Sequence, residues 1–475
     1  MIRVVCRDDS YLYNAYHMVR AFFPEEEVHS SVEEKAPHFA AAIFSDGEVI
    51  AADPPAGRMT AEEKRGLDRK WYRMLSERSG RTLAWGILLG VRPTKIAMQK
   101  REGGWEAERF ISWFEREYLA SQEKAVLAWE IAGRERMLLS QLDLEKGYSL
   151  YIGIPFCPSV CSYCSFSSGA LADWQDQVDA YLDALCREIR FIAENMQDRK
   201  LDAIYIGGGT PTSLSAGQLE RLLDWVDRCF VRKDLLEYTV EAGRPDSITQ
   251  EKLKVLRNHD ITRISINPQT MQQKTLDVIG RKHTVEEIVE VFWQARELGF
   301  DNINMDLIAG LPGEGLKEMK DTLGKIEKLS PDSLTVHSLA VKRAAKMGRE
   351  EEKARMGTEI GEMIQEAALS AGRMNLLPYY LYRQKNIAGN FENVGYAKVD
   401  KAGIYNILIM EEKQSILAAG AGASSKIVLK EAVRMPGSRK NKMTNLIRVE
   451  NVKAIDAYIR RIDEMIERKG EWLWH

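Results

Sequence analysis

The stretch SLYIGI at residues 149–154 begins a repeating pattern that decides the fold. A short run of β-branched or aliphatic residues is followed by an amphipathic segment, and this alternation returns five more times. The later runs are AIYIGG at 203–208, YTVEAG at 238–243, RISINP at 263–268, INMDLIAG at 303–310 and SLTVHSL at 333–339. Continuous apolar strands that alternate with helices indicate a parallel sheet covered by helices.

Polar and glycine-rich motifs in this part of the chain follow the carboxyl ends of the predicted strands. Active sites of β/α barrels are built from the loops at that end of the strands. The pattern therefore predicts an α/β fold with a partial (β/α)6 TIM-type barrel. A flat doubly wound sheet is the alternative, and the position of the motifs favours the barrel.

The barrel pattern occupies residues 146–345 and leaves a region on each side. Residues 1–145 are predicted to form an N-terminal α+β domain of unknown role. TLAWGILLGVRPTKI, at 82–96, interrupts the long helical part of this region with two glycines and a proline. Residues 346–475 are predicted to form a C-terminal mixed α/β extension, whose last helix packs its apolar positions on the barrel.

The overall charge gives no reason to expect nucleic acid or a membrane as a partner. The 475-residue chain has 67 Lys and Arg against 70 Asp and Glu, a net charge of −3, so an anionic substrate needs a local cluster of cations. Charged residues interrupt the start, MIRVVCRDDSY, and leave no signal-peptide core. No apolar run reaches the roughly 20 residues that span a bilayer. We expect a cytoplasmic protein.

Three of the six cysteines, Cys157, Cys161 and Cys164, form a CxxxCxxC motif after the first barrel strand. Three thiolates around a cubane cluster leave one iron without a protein ligand, and a small chelating molecule can occupy that iron. A zinc knuckle is the alternative, but no further Cys or His follows at zinc spacing. The remaining cysteines are predicted to be buried and inert: Cys6, Cys186 and Cys229.

A glycine segment, Gly207-Gly208-Gly209-Thr210-Pro211, follows the second barrel strand. Glycines let the backbone approach a ligand closely, and their amides and carbonyls are then available for hydrogen bonds. A glycine triplet alone is a weak signal. Its position one βα unit after the cysteine motif makes it a candidate cofactor site.

These motifs resemble the signature of radical S-adenosylmethionine (SAM) enzymes, in which three cysteines hold a [4Fe–4S] cluster and SAM chelates the fourth iron. Over residues 149 to about 345 they look, more narrowly, like the oxygen-independent coproporphyrinogen III oxidase (dehydrogenase) family. The long N-terminal region is most similar to the HemZ branch of that family. The motifs in order are LYIGIPFC at 150–157, GGGTPTSL at 207–214, RISINPQTM at 263–271 and NMDLIAGLPGE at 304–314.

The resemblance implies a [4Fe–4S] cluster on the three motif cysteines and a set of SAM contacts at consecutive strand ends. Carboxylates there can accept hydrogen bonds from ribose hydroxyls or an ammonium group, and an arginine can balance the SAM carboxylate. The first residue of the set is also the candidate catalytic residue. The set comprises Tyr151, Gly208, Gly209, Thr210, Glu241, Gln269, Arg281, Asp306 and Ala340.

The reaction implied by the resemblance converts two propionates of coproporphyrinogen III to the vinyl groups of protoporphyrinogen IX, a step of heme biosynthesis. Each propionate loses a β-hydrogen and carbon dioxide. The implied partners are a tetrapyrrole substrate and a reductant such as flavodoxin or ferredoxin.

Three departures from the family pattern keep other functions open. Gly153 stands where the family carries histidine, and the segment after Cys164 lacks the family's extra cysteine. The C-terminal region reads ENVGYAK at 392–398 in place of a His-Asn-xx-Tyr-Trp heme-binding motif. The alternatives are a heme-trafficking protein of the same family and another radical SAM reaction, such as methyl transfer or cyclopropanation.

Substrate contacts are predicted from charge. Four propionates call for basic side chains, preferably arginine, whose planar fork matches a carboxylate. Lys342 and Arg343 follow the sixth strand, and Arg92 and Lys95 lie in the interrupted N-terminal segment. The alternative is that all four are solvated surface charges. His337, on the sixth strand, faces either the pocket or the core, and the core is favoured.

Overall fold

Two sheets organise the chain, a small one near the N-terminus and a large open one that contains the barrel strands. The computed structural model describes residues 1–54, 59–90, 92–164, 168–339, 356–383, 391–436 and 442–473, with backbone alone at 356–358. No helix among these residues is both long enough and apolar enough to cross a bilayer.

The small sheet has the strand order β2-β1-β3-β4 and its own apolar core. β1 pairs in parallel with β2 and antiparallel with β3. Helix α1 is capped by the Asp8 side chain, and α2 begins with a Thr60–Glu63 capping box. The elements are β1 Ile2–Cys6, α1 Asp9–Phe22, β2 Val28–Val32, β3 Ala40–Phe44, β4 Val49–Ala52 and α2 Ala61–Ser79.

Three further helices of the N-terminal region join the core of the large sheet instead: Gln122–Leu139 packs on the strand Leu377–Tyr382, and the other two pack on Gln122–Leu139. They contribute buried residues such as Phe110, Phe114 and Ala128 to the main core. The region predicted as a single N-terminal domain therefore divides its apolar residues between two cores. The helices are α3 Thr94–Glu102, α4 Ala107–Tyr118 and α5 Gln122–Leu139.

All six predicted barrel strands are neighbours in the large sheet and run parallel. A helix follows most of them along the chain. The strands are β5 Gly147–Ile154, β8 Lys200–Gly208, β9 Glu237–Gly243, β10 Arg263–Ile266, β11 Ile303–Ala309 and β12 Ser333–Ser338, with the short pair β6 Phe156–Cys157 and β7 Gly169–Ala170. The helices are α6 Val178–Asn195, α7 Ala216–Cys229, α8 Gln250–Asn258, α9 Gln273–Val278, α10 Val285–Glu297 and α11 Leu316–Leu329.

The C-terminal region extends this sheet at both edges. The full strand order is β13-β14-β12-β11-β10-β9-β8-β5-β15-β16-β17, so β5 and β12 do not pair and the barrel stays open. β14 runs antiparallel to β12, whereas β15 runs parallel to β5. The elements are α12 Met356–Arg373, β13 Leu377–Tyr382, β14 Asn393–Ala397, α13 Ile404–Glu411, β15 Ser415–Ala419, β16 Ser424–Arg434, β17 Met443–Glu450, α14 Ile455–Arg460 and α15 Ile462–Leu473.

The last two helices pack against α6, as the sequence predicts for a helix lying on the barrel. A buried carboxylate on α6, Glu188, ties them together. It accepts hydrogen bonds from the Tyr458 hydroxyl at 2.5 Å, from the Lys469 ammonium and from the Asn451 amide at 2.9 Å. A buried charge is tolerated because it is paired and fully hydrogen-bonded.

Candidate active site

A cavity of about 460 Å³ opens at the carboxyl ends of the barrel strands. It brings together the three motif cysteines, the glycine segment and the polar residues that end β9 to β11. The residues predicted from the sequence that line it are Tyr151, Cys157, Cys161, Cys164, Gly208, Gly209, Thr210, Glu241, Gln269, Arg281 and Asp306.

The remaining predicted site residues are Ala340, Lys342, Arg343, Arg92 and Lys95. Ala340, Lys342 and Arg343 lie outside the described residues. Arg92 points to the end of α13, where its guanidinium donates to the Met410 carbonyl and to Glu412 at 2.7 Å. Lys95 is exposed. Neither Arg92 nor Lys95 lines the cavity.

Main-chain hydrogen bonds join the glycine segment to the start of the cysteine loop, the stretch 157–164 that carries the three motif cysteines. The amide of Gly209 donates to the Ile154 carbonyl at 2.7 Å, and that of Thr210 donates to the Phe156 carbonyl at 2.7 Å. Farther along the loop, the Ser162 amide donates to the Ile279 carbonyl at 3.1 Å. These bonds hold the loop over the open ends of the strands.

Two buried arginines lie beside this loop. Arg244 donates to the Ser159 carbonyl at 2.9 Å and approaches Cys161 Sγ at 3.7 Å. Arg281 donates to the Asn267 carbonyl at 2.5 Å and to the Tyr163 hydroxyl at 3.3 Å. Positive charge at this position favours thiolates, the form of cysteine that binds iron.

The thiols themselves share one end of the cavity. Burial raises the pKa of Cys157, while a hydrogen bond from Thr210 Oγ1 at 3.6 Å opposes that shift. Within the described ranges, no three Cys, His, Asp or Glu side chains are gathered closely enough to make up a metal site by themselves. The case for these three as ligands therefore rests on their shared cavity, their spacing and the neighbouring cations.

The glycine segment packs closely against the cysteine loop. A Cβ at position 209 would lie 2.6 Å from the Phe156 carbonyl oxygen and 3.0 Å from Cys157 Sγ. Gly208 has φ +111, a conformation that L residues rarely adopt. The buried Nε of Arg281 and Oδ1 of Asn267 have no hydrogen-bond partner among the described residues. Unpaired buried donors and acceptors in a pocket fit an absent polar ligand, so these residues fit a cluster with a chelating SAM.

The acidic residues of the pocket differ in their protonation. Burial raises the pKa of Glu241 to about 7, with a hydrogen bond from the Tyr205 hydroxyl acting against it. Burial acts the same way on Asp306, but His337 and the Asn304 amide, 2.7 Å from Asp306 Oδ1, bring its pKa below the usual value. Asp306 is thus a carboxylate at neutral pH, and Glu241 is close to its titration point.

His337 lines the cavity, which corrects the core interpretation. Its Nε2 lies 3.6 Å from Asp306 Oδ2, and its Nδ1 lies 3.1 Å from the Tyr382 hydroxyl. Strand alternation puts residue 337 on the same face as Thr335, but only the open end of the barrel leaves space in front of it.

Gln269 has φ +68 and is fixed to β11 by two main-chain hydrogen bonds. Its amide donates to the Asp306 carbonyl at 2.9 Å, and its carbonyl accepts from the Ile308 amide at 2.9 Å.

A second wall of the pocket was not predicted. It comes from β13 and α13, and the side chains that the structure describes there are uncharged, several of them aromatic. Tyr405 stacks on Tyr205 with ring centroids 4.4 Å apart, and Tyr151 lies 6.2 Å from Tyr405. On the barrel side, alternation from Ser265 and Asn267 would have found Arg263. The residues of the second wall are Tyr380, Tyr382, Tyr405, Asn406, Ile409 and Met410.

The single cysteines lie away from the pocket. Cys6 and Cys186 are buried, and burial raises the pKa of each thiol to about 11. Cys229 is only half-buried, because it lies at the end of α7. None of the six cysteines forms a disulfide.

Comparison with known proteins defines the class first. Residues 151–326 match the model of the radical SAM superfamily. That stretch contains the cysteine loop, the glycine segment, four complete barrel strands and the second half of β5. The cofactors of this superfamily, a [4Fe–4S] cluster and SAM, are therefore those of this chain.

The relatives then define the family. The oxygen-independent coproporphyrinogen-III oxidase-like protein HemZ of Bacillus subtilis (strain 168) is 45% identical over 371 residues, which cover 77% of this chain and 74% of the relative. The chain belongs to the family of oxygen-independent coproporphyrinogen III oxidase-like radical SAM proteins, as the motifs predicted.

More distant relatives carry two different functional names. The heme chaperone HemW of Bacillus subtilis (strain 168) is 42% identical over 41% of this chain and 50% of its own length. The oxygen-independent coproporphyrinogen III oxidase of Escherichia coli (strain K12) is 33% identical over 41% of this chain and 42% of its own length. This chain thus spans about half or less of each of these two proteins.

A solved structure supports the fold. Coproporphyrinogen III oxidase (HemN) from Escherichia coli has a TM-score of 0.53 at 22% identity, covering 70% of this chain and 72% of that one. The prediction of an α/β fold with a partial barrel is confirmed.

Proposed function

We propose that the protein oxidatively decarboxylates propionate side chains of coproporphyrinogen III, with protoporphyrinogen IX as product. The observation that carries the proposal is the pocket itself, in which a polar wall with three cysteines faces an aromatic, uncharged wall. A tetrapyrrole ring suits the uncharged wall. The family relationship to HemZ supports the same substrate class.

The polar wall is proposed to hold the cofactors. Cys157, Cys161 and Cys164 bind the cluster, and Arg281, which lines the cavity, pairs with the SAM carboxylate. When bound, the cluster and SAM would supply a 5′-deoxyadenosyl radical, which would remove a hydrogen atom from the propionate β-carbon. The propionate would then lose carbon dioxide and one electron, which would pass to a one-electron acceptor, and its two side-chain carbons would become the vinyl group.

The remaining polar residues are proposed to orient SAM. Asp306, kept ionised by His337 and Asn304, accepts hydrogen bonds from the SAM ammonium or ribose. Gly208, Gly209 and Thr210 offer main-chain groups, Gln269 offers both a donor and an acceptor, and Glu241 accepts a further hydrogen bond. Ala340 completes the proposed set from outside the described residues.

Tyr151 is proposed to contact the reacting part of SAM. Burial raises the pKa of its phenol, with the charge of Glu241 adding to the effect, so the hydroxyl stays protonated and acts as a donor. Its ring stacks with the rings of Tyr205 and Tyr405, at the place where the polar wall meets the uncharged wall. Such packing excludes water from the reacting carbon, and water exclusion protects a reactive intermediate.

The second candidate, a heme-trafficking protein, is favoured by the similarity to HemW. The ENVGYAK segment speaks against it. Glu392 is buried and accepts hydrogen bonds from Trp85 at 2.7 Å and Lys124 at 2.6 Å. Asn393 accepts one from the Ser338 amide at 2.8 Å. These side chains support the fold and are not available to a heme.

Anaerobic incubation of the reconstituted protein with SAM, a reductant and coproporphyrinogen III tests the proposal. We expect protoporphyrinogen IX together with 5′-deoxyadenosine, both followed by mass spectrometry. Heme titration of the same preparation separates the two candidates. Stoichiometric heme binding without any tetrapyrrole product would overturn the decarboxylase assignment and support trafficking.

A further inference from the structure

Helix α13 enters the open barrel and forms much of the uncharged wall. Its residues Tyr405, Asn406, Ile409 and Met410 line the pocket, at the i, i+1, i+4 and i+5 positions that form one helix face. Its first residue, Ile404, lines a separate cavity at the opposite ends of β9 to β11. The helix therefore runs from the N-terminal ends of β9 to β11 to the pocket at the carboxyl ends of the barrel strands.

An eight-residue helix is not stable by itself, and α13 is held at both ends by charges from distant parts of the chain. At its N-terminus, the buried Glu237 carboxylate accepts hydrogen bonds from the amides of Ile404 and Tyr405, the latter at 3.2 Å. At its C-terminus, Lys426 donates to the Ile409 carbonyl at 2.8 Å. Arg92 donates to the Met410 carbonyl.

The signs of these charges match the helix dipole. A carboxylate stabilises the positive N-terminal end, and cations stabilise the carbonyls at the C-terminal end. Arg92 is fixed in turn by Glu412, whose pKa is lowered to about 2 because hydrogen bonds and cations outweigh its burial. The interrupted N-terminal segment thus determines where the pocket face of α13 lies.

We propose that the pocket face of α13 recognises the tetrapyrrole ring of the substrate and that Arg92 is a positioning residue that sets this face at its working distance. The proposal rests on the proposed function and deepens it. The described charged residues of the pocket all belong to the barrel wall, so Ile409 and Met410 are the apolar surface offered to pyrrole rings and their methyl groups. Asn406, which donates to the Tyr379 hydroxyl at 3.0 Å, fixes the intervening turn.

The test compares Arg92→Ala with Arg448→Ala in the reconstituted full-length protein. Both arginines pair with Glu412, Arg448 at 2.8 Å, but only Arg92 also holds an α13 carbonyl. For Arg92→Ala we expect KM for coproporphyrinogen III to rise about tenfold and affinity for the oxidised analogue coproporphyrin III to fall equally, with substrate-free SAM cleavage unchanged. Arg448→Ala should stay within about twofold of the wild type, and Arg92→Lys should recover part of the loss because it keeps one charged donor.

A second variant tests substrate recognition while the hydrogen bonds at the two ends of α13 stay in place. Met410→Ala removes apolar surface from the pocket face, and the ratio of kcat/KM for the III and I isomers of coproporphyrinogen should change by about fivefold or more. Loss of stability alone would lower both isomers alike. Equal effects of the two arginine variants, together with an unchanged isomer ratio, would overturn the role of α13.

Failure of the proposed function has a different signature. If the wild type binds coproporphyrin III but forms no product, decarboxylation is refuted, and weaker binding in Arg92→Ala than in Arg448→Ala still supports α13. If the wild type binds no coproporphyrin at all, both proposals are overturned.

Discussion

The two walls of the pocket are built in opposite ways. The barrel wall is the polar wall that carries the three motif cysteines, and the α13 wall is the uncharged wall formed by β13 and α13. The barrel wall takes its residues from the ends of consecutive strands, and its charged groups hold one another, as Asp306 does with His337. The described residues of the α13 wall that face the cavity are uncharged, and the charged side chains Arg92 and Glu237 bind at the two ends of the helix. This difference fits the proposal that the barrel wall holds the cofactors and the α13 wall holds the substrate.

The two walls also differ in the contacts that hold them in place. Neighbouring strands fix the barrel wall through main-chain bonds that any sequence of this fold would form. The α13 wall instead depends on side chains from distant parts of the chain, Arg92, Glu237 and Lys426, which hold the two ends of the helix. Changes to each wall should therefore have separable effects.

The largest effect is expected from Cys161→Ser in the barrel wall. A serine oxygen is a poor ligand for a soft iron–sulfur site, so the variant should lose the cluster and all SAM cleavage after anaerobic reconstitution. Iron and sulfide analysis with an assay for 5′-deoxyadenosine measures both. The matched control is Cys229→Ser, away from the pocket, which should change neither. A complete cluster with normal cleavage in Cys161→Ser would rule out this residue as a ligand.

A smaller loss is expected from the acidic residues of the same wall. Asp306→Asn and Glu241→Gln should each weaken SAM binding by about 1.5–3 kcal/mol, the usual cost of a lost charge-assisted hydrogen bond, while iron content stays constant. Isothermal titration of the reconstituted variants gives the affinity. Asp301→Asn is the control, because Asp301 is exposed and pairs with Lys401 outside the pocket. Affinities within about twofold of the wild type in both pocket variants would show that these positions do not hold SAM.

Gly209→Ala tests the close approach of the two loops. Its Cβ would press on the Phe156 carbonyl and Cys157 Sγ, and overpacking of this kind costs about 1–3 kcal/mol. We expect a lower thermal midpoint and incomplete cluster loading. Gly217→Ala has open space around its Cβ and should leave both unchanged. If the two variants behaved alike, the contact between the glycine segment and the cysteine loop would not matter.

The smallest effect concerns the support of the α13 wall. Glu135 on α5 is buried, and burial together with the charge of Glu411 on α13 raises its pKa well above the usual value. The folded state then holds a proton that the unfolded chain releases, so folding is most favourable below the unfolded pKa and weakens as pH rises toward the folded pKa.

Glu135→Gln removes this dependence. We expect its thermal midpoint to exceed that of the wild type by about 2 °C at pH 8.5 and by less at pH 5.5. Differential scanning calorimetry at the two pH values measures the difference. A gain that is independent of pH would contradict the buried, proton-bearing carboxyl.

The sequence identifies the barrel wall because its signals are local. The predicted run at 303–310 corresponds to β11 at Ile303–Ala309, and the cysteine and glycine motifs follow their strands directly. The α13 wall has no such signal. The sequence did not predict helix α13, and its place in the pocket depends on contacts with Glu237 and Arg92, 167 and 318 positions away.

Tertiary packing also decides the surroundings of Arg92 and His337, for which the sequence left alternatives open. The charge of Arg92 indicates an anionic partner, yet whether that partner is a substrate propionate or Glu412 is decided by the path of a loop. Strand alternation gives the face of His337 but not whether space lies in front of it. Both questions are settled by tertiary packing.

The central claim is that this pocket removes hydrogen from propionate side chains, and transfer of deuterium tests it most directly. Coproporphyrinogen III deuterated at the propionate β-carbons is incubated anaerobically with the reconstituted protein, SAM and reductant. We predict deuterium in the 5′-deoxyadenosine, at a level that rises in step with vinyl product. Unlabelled 5′-deoxyadenosine beside unchanged substrate, from protein with a full cluster and bound SAM, would contradict the claim.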